Sequence, residues 1–564
     1  MTHRTYILLT LSAILYCTFC HAQLTKPQQT IDPDATLIYL EHCQSLNYNE
    51  ELYPGAQLLT GDVIFRHDSA LMFCDSAYFY EAQNSLDAFG NIRFEQGDTL
   101  FGYGDILYYN GNTKLARLRH NVKLIHFSTI LTTDSLNYDR IQDVAYYFNN
   151  GTIKDSLNIL QSVYGQYQPP TKEATFKDSV VLNNENFSLE SDTLKYNTET
   201  HIAQILSPTT IVYQEETTIL SSRGWYNTET EHSTLLDHSH VIHTNGKQLT
   251  GDSILYDKQA GIGHVFNHME LADTTNKITL YGNYGEYYEQ QQKGLATDSA
   301  LAIDRSDSLW LYIHADTIFT EQEKLTITLQ DTIHTDSINS QHDTTFQCLL
   351  AYRNVRIYRD DVQAVCDSLA YHESDSIIRF YYNPIAWNDS SQMSADSILA
   401  QIINGEIDHL HCYGSAMAVQ QEEDEYYNQM AGKEIIAWIR NGELRQIDVN
   451  GNAETVFFPR ENSDAQQQNK QNQGDISGVN KTQSSFVKIF IKDQKMERIL
   501  FTTATTGTMY PLDDISTEQT RLNGFFTADE QRPASPDDVF RQAEKAIRPE
   551  VAAKSASVSG KEIK

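Results

Sequence analysis

Carboxylates recur along this chain in step. Asp75, Asp105, Asp134, Asp192 and Asp252 each open a short segment of the form Asp-Ser-apolar-x-Tyr. Carboxylates from neighbouring strands can converge on calcium or serve as an acid–base pair. Asp and Ser also bond local backbone in turns, and a once-per-repeat residue with no Gly-rich calcium nonapeptide around it fits that structural role better. His238, His240 and His243, and His409 with His411, alternate as zinc ligands on one strand face would. No clustered Cys or carboxylate completes a four-ligand set in the sequence, so these read as exposed strand histidines. Beyond residue 22 lie Cys43, Cys74, Cys348, Cys366 and Cys412, an odd number without CxxC spacing. At least one thiol is therefore unpaired. Cys74 and Cys366 both precede Asp-Ser and read as small buried apolar residues. There is no GxSxG, Walker loop or dinucleotide fingerprint, and Gly102-Tyr-Gly104 is a repeat turn. The expectation is a non-enzyme with no catalytic residue, no cofactor and no metal.

The elements that carry these residues repeat. The motif appears as Asp75-Ser-Ala-Tyr-Phe79, Asp105-Ile-Leu-Tyr-Tyr109, Asp134-Ser-Leu-Asn-Tyr138, Val163-Tyr-Gly-Gln-Tyr167, Asp192-Thr-Leu-Lys-Tyr196, Ser222-Arg-Gly-Trp-Tyr226, Asp252-Ser-Ile-Leu-Tyr256 and Asn283-Tyr-Gly-Glu-Tyr287. The intervals stay between 29 and 31 residues, a period typical of stacked arrays. Halfway between lies a second apolar run, such as Asn91-Ile-Arg-Phe94 or Asn121-Val-Lys-Leu124. Each unit is thus two strands joined by turn residues. Side chains alternate along a strand, so the third and fifth motif positions share one face. Ala77 with Phe79, Leu107 with Tyr109, Leu136 with Tyr138, Leu194 with Tyr196, and Ile254 with Tyr256 are the inward, candidate lipid-binding residues. The residues between them, Asn137 and Lys195 for example, are expected to face water. Such a face either fills a dry core or lines an elongated apolar trough in which acyl chains replace part of it.

Composition narrows the class. With 33 Tyr and 12 Pro among 564 residues, and weak helical periodicity, the array is all-β. A formal net charge of −33 argues against nucleic acid, whose phosphates need Lys and Arg. Arg4, the apolar run from Tyr6 to Phe19 and the small Ala22 make residues 1–22 a secretory signal peptide. The run is shorter than the roughly 20 residues of a membrane-spanning helix. Residues 23–290 form the N-terminal repeat array. Phase is lost in 291–350, an irregular middle, and returns in 351–460 as a second array at Asp367 and Asp396. Residues 461–485 are a Gln/Asn-rich disordered insertion. Residues 486–564 hold terminal strands, a short helix starting at Ser535-Pro536, and a loose tail. An outer-membrane barrel is disfavoured, since no consistent lipid-facing band runs through the strands.

Several of these segments are also those of a family. Leu59-Thr-Gly-Asp-Val-Ile-Phe-Arg-His67, Met72-Phe-Cys-Asp-Ser-Ala-Tyr78, Ala88-Phe-Gly-Asn91, Gln96-Gly-Asp-Thr-Leu100 and Leu131-Thr-Thr-Asp134 resemble the OstA-like branch of the LptA/OstA family. The resemblance implies an elongated β-jellyroll of antiparallel strands in the periplasm. It implies lipopolysaccharide or a related lipid as cargo, held by its acyl chains in an apolar groove. It also implies inner- and outer-membrane Lpt transport components as partners, met by edge-strand docking. This chain departs from the minimal members in its length and its acidity. The rival class is a structural or adhesive surface β-solenoid with a dry core.

Overall fold

A strand with one apolar face must pair with its neighbour and turn that face to a shared interior. The computed structural model of the chain is built this way from Tyr39 to Tyr510, with only short helical turns beyond. It describes residues 36–329, 340–423, 425–440, 442–460, 475–492 and 495–541. The signal peptide expected at 1–22 lies outside the described residues. By contacts the chain divides into Met1–Leu182 with Lys195–Glu199, and Asn183–Leu194 with Thr200–Lys564.

In the first unit, strands Gln57–His67, Ala70–Tyr80, Ser85–Gln96, Leu100–Asn110, Leu115–His126 and Thr129–Asp139 pair antiparallel in chain order. Every one of these ladders shifts register at its middle. In Ser85–Gln96 the shift falls between Phe89 and Ile92, where Gly90 and Asn91 have φ of 79° and 43°. In Leu115–His126 it falls at His120 and Asn121, with φ of 61° and 52°. A pair of left-handed residues inserts a bulge and bends the strand, and Gly, Asn, Asp and His are the residues that tolerate this conformation. Each strand is therefore two half-strands, and the half-strands pair into two arms that meet along a line of corners.

The recurring Asp residues sit on that line. Asn91 Nδ2 donates to Asp75 at 2.8 Å, and Asn121 Nδ2 to Asp105 at 2.7 Å. Asp134 meets His120 at 3.3 Å. Each of these carboxylates meets a residue of the left-handed pair on a neighbouring strand, the next one for Asp75 and Asp105 and the preceding one for Asp134. These Asp residues are structural, as expected, but they sit in mid-strand and clip a neighbouring strand's side chain instead of bonding local backbone at a strand start.

The second unit uses the same device. Strands His232–His243, Lys247–Asp257, Ile262–Asp273, Ile278–Tyr288, Lys293–Asp304, Leu311–Leu329, Ser340–Arg359 and Val362–His372 pair in chain order. The stretch 291–350, read from the sequence as irregular, is thus strand and hairpin wherever it is described. Asp298-Ser299 looked out of phase because it is a corner pair itself, with φ of 59° and 70°, and not the start of a motif. Leu311–Leu329 and Ser340–Arg359 run 19 and 20 residues, and their pairing continues to Leu329 opposite Ser340. Of the polar insertion expected at 461–485, residues 461–474 lie outside the described residues. The following strand begins at Val479, earlier than the expected Phe486.

The C-terminal segment is not loose as far as it is described. Residues 511–541 run back over the outer face of one arm of this unit. Gln429 Nε2 donates to Thr520 O at 2.7 Å while its Oε1 accepts from Leu522 N at 2.7 Å. Gln392 does the same with Phe526 O and Ala528 N, at 3.0 and 2.8 Å. Gln363 accepts from Arg532 Nε, and Arg356 Nε donates to Asp538 O. Between these grips Leu522 packs with Met417, Val419 and Phe458, and Ala528 with Trp387, Ile385 and Val365. The helix start expected at Ser535-Pro536 is a single 3-10 turn, Pro536–Phe540. The short α-helix is Thr517–Thr520, closed by a capping box from Ser516 and Gln519.

Two substitutions test these readings. A Cβ on Gly90 would lie 2.4 Å from Asp75 Oδ2, whereas at Gly97, also at positive φ, nothing lies within 4 Å. Gly90→Ala should lose about 1–3 kcal/mol more than Gly97→Ala in urea denaturation, since only it must also break the clip. Gln392→Ala strands the Phe526 carbonyl and the Ala528 amide, costing about 1–3 kcal/mol. It should raise amide hydrogen exchange at 526–528 first.

Candidate lipid-facing interior

All ten residues expected to face inward do so. Ala77, Leu107, Leu136, Leu194 and Ile254 are fully buried, and Phe79, Tyr109, Tyr138, Tyr196 and Tyr256 nearly so. The alternation extends through each half-strand, as the pattern of Leu100–Asn110 shows. One expectation about the outer face changes. Lys195 is exposed, but Asn137 is covered because Arg119 lies over it and donates to its Oδ1 at 3.0 Å.

Where the third motif position is glycine, a neighbour occupies the space. A Cβ on Gly165 would meet the Tyr147 ring at 2.3 Å, and one on Gly285 would meet Met269 at 2.8 Å. Cys74, in the first unit, and Cys366 and Cys412, in the second, are free, buried thiols, and burial raises their pKa, for Cys74 and Cys412 to about 12.

The repeated tyrosines do more than fill space. Each stands near the free end of one arm, where its ring is buried and its hydroxyl reaches polar groups at the arm tips. In the first unit Arg140 Nη1 donates to Tyr109 Oη, which donates to His67 Nδ1, both at 2.6 Å. His67 Nε2 faces Thr36 O at 2.9 Å, so the neutral ring carries its proton on Nε2. His67 ends one arm and Tyr109 the other, on strands that do not pair. The contact therefore crosses the mouth between the arms. Lys114 Nζ reaches Asp68 across the same mouth at 2.7 Å. Gln96 donates to Asp143, which Tyr138 also approaches at 3.0 Å. His126 Nδ1 meets Tyr167 Oη at 2.9 Å, and Asn158 Nδ2 donates to Tyr196 Oη at 2.7 Å.

The second unit has a counterpart. Tyr256 Oη donates to Glu289 at 2.8 Å, and Lys258 Nζ donates to Glu289 at 2.9 Å and to Thr217 at 3.3 Å. His243, expected to be an exposed strand histidine, is instead buried here, 3.0 Å from Thr217 Oγ1. Sequence alone did not mark these partners, because they come from turns and strand ends 31 to 42 residues away. The one available signal was the constant Tyr at the motif's end, a residue that buries its ring and keeps a polar tip.

These clasps are electrostatically one-sided. Burial lowers the pKa of His67, His126 and His243 below the ordinary 6.5. Burial raises Tyr109, to about 12 even with Arg140 beside it. Burial would raise Glu289 as well, but the hydrogen bonds from Lys258 and Tyr256 hold it below the usual carboxylate value. Asp68 is held at about 2, its bonds to Lys114 and Thr36 outweighing burial. The mouth is thus closed at neutral pH by neutral imidazoles, neutral phenols and paired ions.

Outside the arms, a concavity of about 580 Å³ follows the corner line, lined by Asp62, Asp75, Asn91, Asp105 and Asn121 among others. Its carboxylates Asp75 and Asp105 are already engaged in the clips. No described helix is long and apolar enough to cross a membrane.

Residues 35–192 match the model of the family described as OstA-like protein. The match covers the first repeats with their clips and clasps. No curated protein matches the chain.

The histidines set a pH dependence. A histidine whose folded pKa lies below its unfolded value leaves the unfolded chain holding more protons, so stability falls as pH drops below 6.5. Melting temperature should therefore decline between pH 7 and pH 5. His67→Gln and His126→Gln should each flatten that slope, at up to about 1.4 kcal/mol per unit of pKa shift removed. An unchanged slope in both variants would show that the clasps do not govern stability.

Proposed function

We propose, starting from the OstA-like match of residues 35–192, that this protein is a non-catalytic periplasmic lipid carrier. In this reading it helps move lipopolysaccharide toward the outer membrane by holding acyl chains between the arms of its repeats. The observation that carries the reading is the inward apolar face of each unit, its motif repeated every 29–31 residues, with polar clasps at the mouth. Hydrophobic burial is worth about 0.8 kcal/mol per CH₂, so about a dozen methylenes between the arms would retain a lipid without any positive charge. The negative charge of the chain favours acyl chains inside and phosphorylated sugars outside. Entry then requires the arms to part, and breaking a few hydrogen bonds at about 1 kcal/mol each is a modest barrier beside the burial gained. Edge strands that pair with inner- and outer-membrane transport components belong to the same proposal.

The close packing of the interior favours a second reading, a structural β-solenoid with a dry core. Photo-crosslinkers at Tyr138 and Tyr196, with Lys195 as the outward control, separate the two in cells. Capture of lipopolysaccharide at the tyrosines and not at Lys195 is expected of a carrier. Capture at Lys195 alone, with no lipid in mass spectra of the purified protein, would leave the dry solenoid.

A further inference from the structure

We propose that Glu323, Cys348 and His372 bind one divalent transition-metal ion of the zinc class. The three residues lie on adjacent strands, Leu311–Leu329, Ser340–Arg359 and Val362–His372. In the ladders Cys348 stands directly opposite His372 on one side and Glu321 on the other. Glu323 shares the outer face of its strand with Glu321, two residues on. The thiol sulfur, an imidazole nitrogen and a carboxylate oxygen all lie within 4.8 Å of one another. His372 Nδ1 is 3.4 Å from Glu323 Oε1.

Donor chemistry selects the ion. Zinc takes thiolate, imidazole and carboxylate at about 2.0–2.3 Å, which sets tetrahedral ligands roughly 3.3–3.8 Å apart. The observed separations need only small side-chain rotations to reach that. Calcium and magnesium, which prefer oxygen ligands, are disfavoured by the sulfur. Access also fits. Cys348 is 2% exposed, while the His372 and Glu323 side chains are 31% and 37% exposed. An ion would rest on the buried sulfur and present its fourth position to water. The placement gives it a task independent of lipid carriage. Here the long hairpin of Leu311–Leu329 and Ser340–Arg359 extends past the length of the other repeats, and a metal would pin its base to the third strand.

The test is cobalt titration of the full chain after removal of metal with a chelator. One equivalent should bind, with a near-ultraviolet thiolate-to-cobalt charge-transfer band that zinc abolishes. Cys348→Ser should lose the band, whereas Cys43→Ser keeps it. Glu323→Gln and His372→Gln should weaken binding by at least the roughly 10–100-fold that loss of an outer-shell partner costs. Absence of the band in the unaltered chain, or its survival in Cys348→Ser, overturns the proposal. If Cys348→Ser fails to fold, unchanged affinity in both of the other variants overturns it as well.

Discussion

The bent strand is the constraint on which the rest depends. A flat antiparallel ladder with one apolar face would leave that face open. Two consecutive left-handed residues at the midpoint fold the ladder so that the face closes on itself. The conformation is costly for most side chains, and the neighbouring strand's Asp compensates by capping the pair, as Asp75 does for Gly90 and Asn91. Corner, clip and interior are thus one interdependent unit that repeats. The repeat period is the length of two bent strands.

Much of this was legible in the sequence because it is periodic. The inward pairs from Ala77 with Phe79 to Ile254 with Tyr256 followed from alternation alone, and burial agrees at every one. What failed to show was anything the period does not carry. Asp298-Ser299 does not stand out as a corner in the sequence, because left-handed corners and strand-opening turns draw on the same small polar residues. The clasps were invisible because His67 at a strand end, and Arg140 and Glu289 in turns, are single residues distant in sequence from the tyrosines they meet. The strap at 511–541 was read as a tail because its anchors, Gln363, Gln392 and Gln429, lie on strands where an outward polar residue looks merely solvated. That they are only 1–5% exposed is a tertiary fact.

Packing and carriage pull in opposite directions. An interior at native density gives each repeat its stability, yet a carrier must exchange part of that interior for its cargo. The tyrosine row is a reasonable compromise. A phenol ring contributes large apolar area at the rim, and its hydroxyl is held by replaceable partners. The arms are joined at the mouth by hydrogen bonds, while the corners are held by backbone geometry. Opening should therefore proceed from the mouth and leave the corner line intact.

The strap illustrates a different use of polar side chains. Gln429 and Gln392 each grip a main-chain carbonyl and the amide two residues on, at Thr520/Leu522 and Phe526/Ala528. Because the grips read backbone, what they fix is the number of residues between them, while Leu522 and Phe525 are held by their apolar contacts. The two glutamines act as a ruler with marks six residues apart, so a one-residue insertion between the marks would break a grip that a substitution there leaves made.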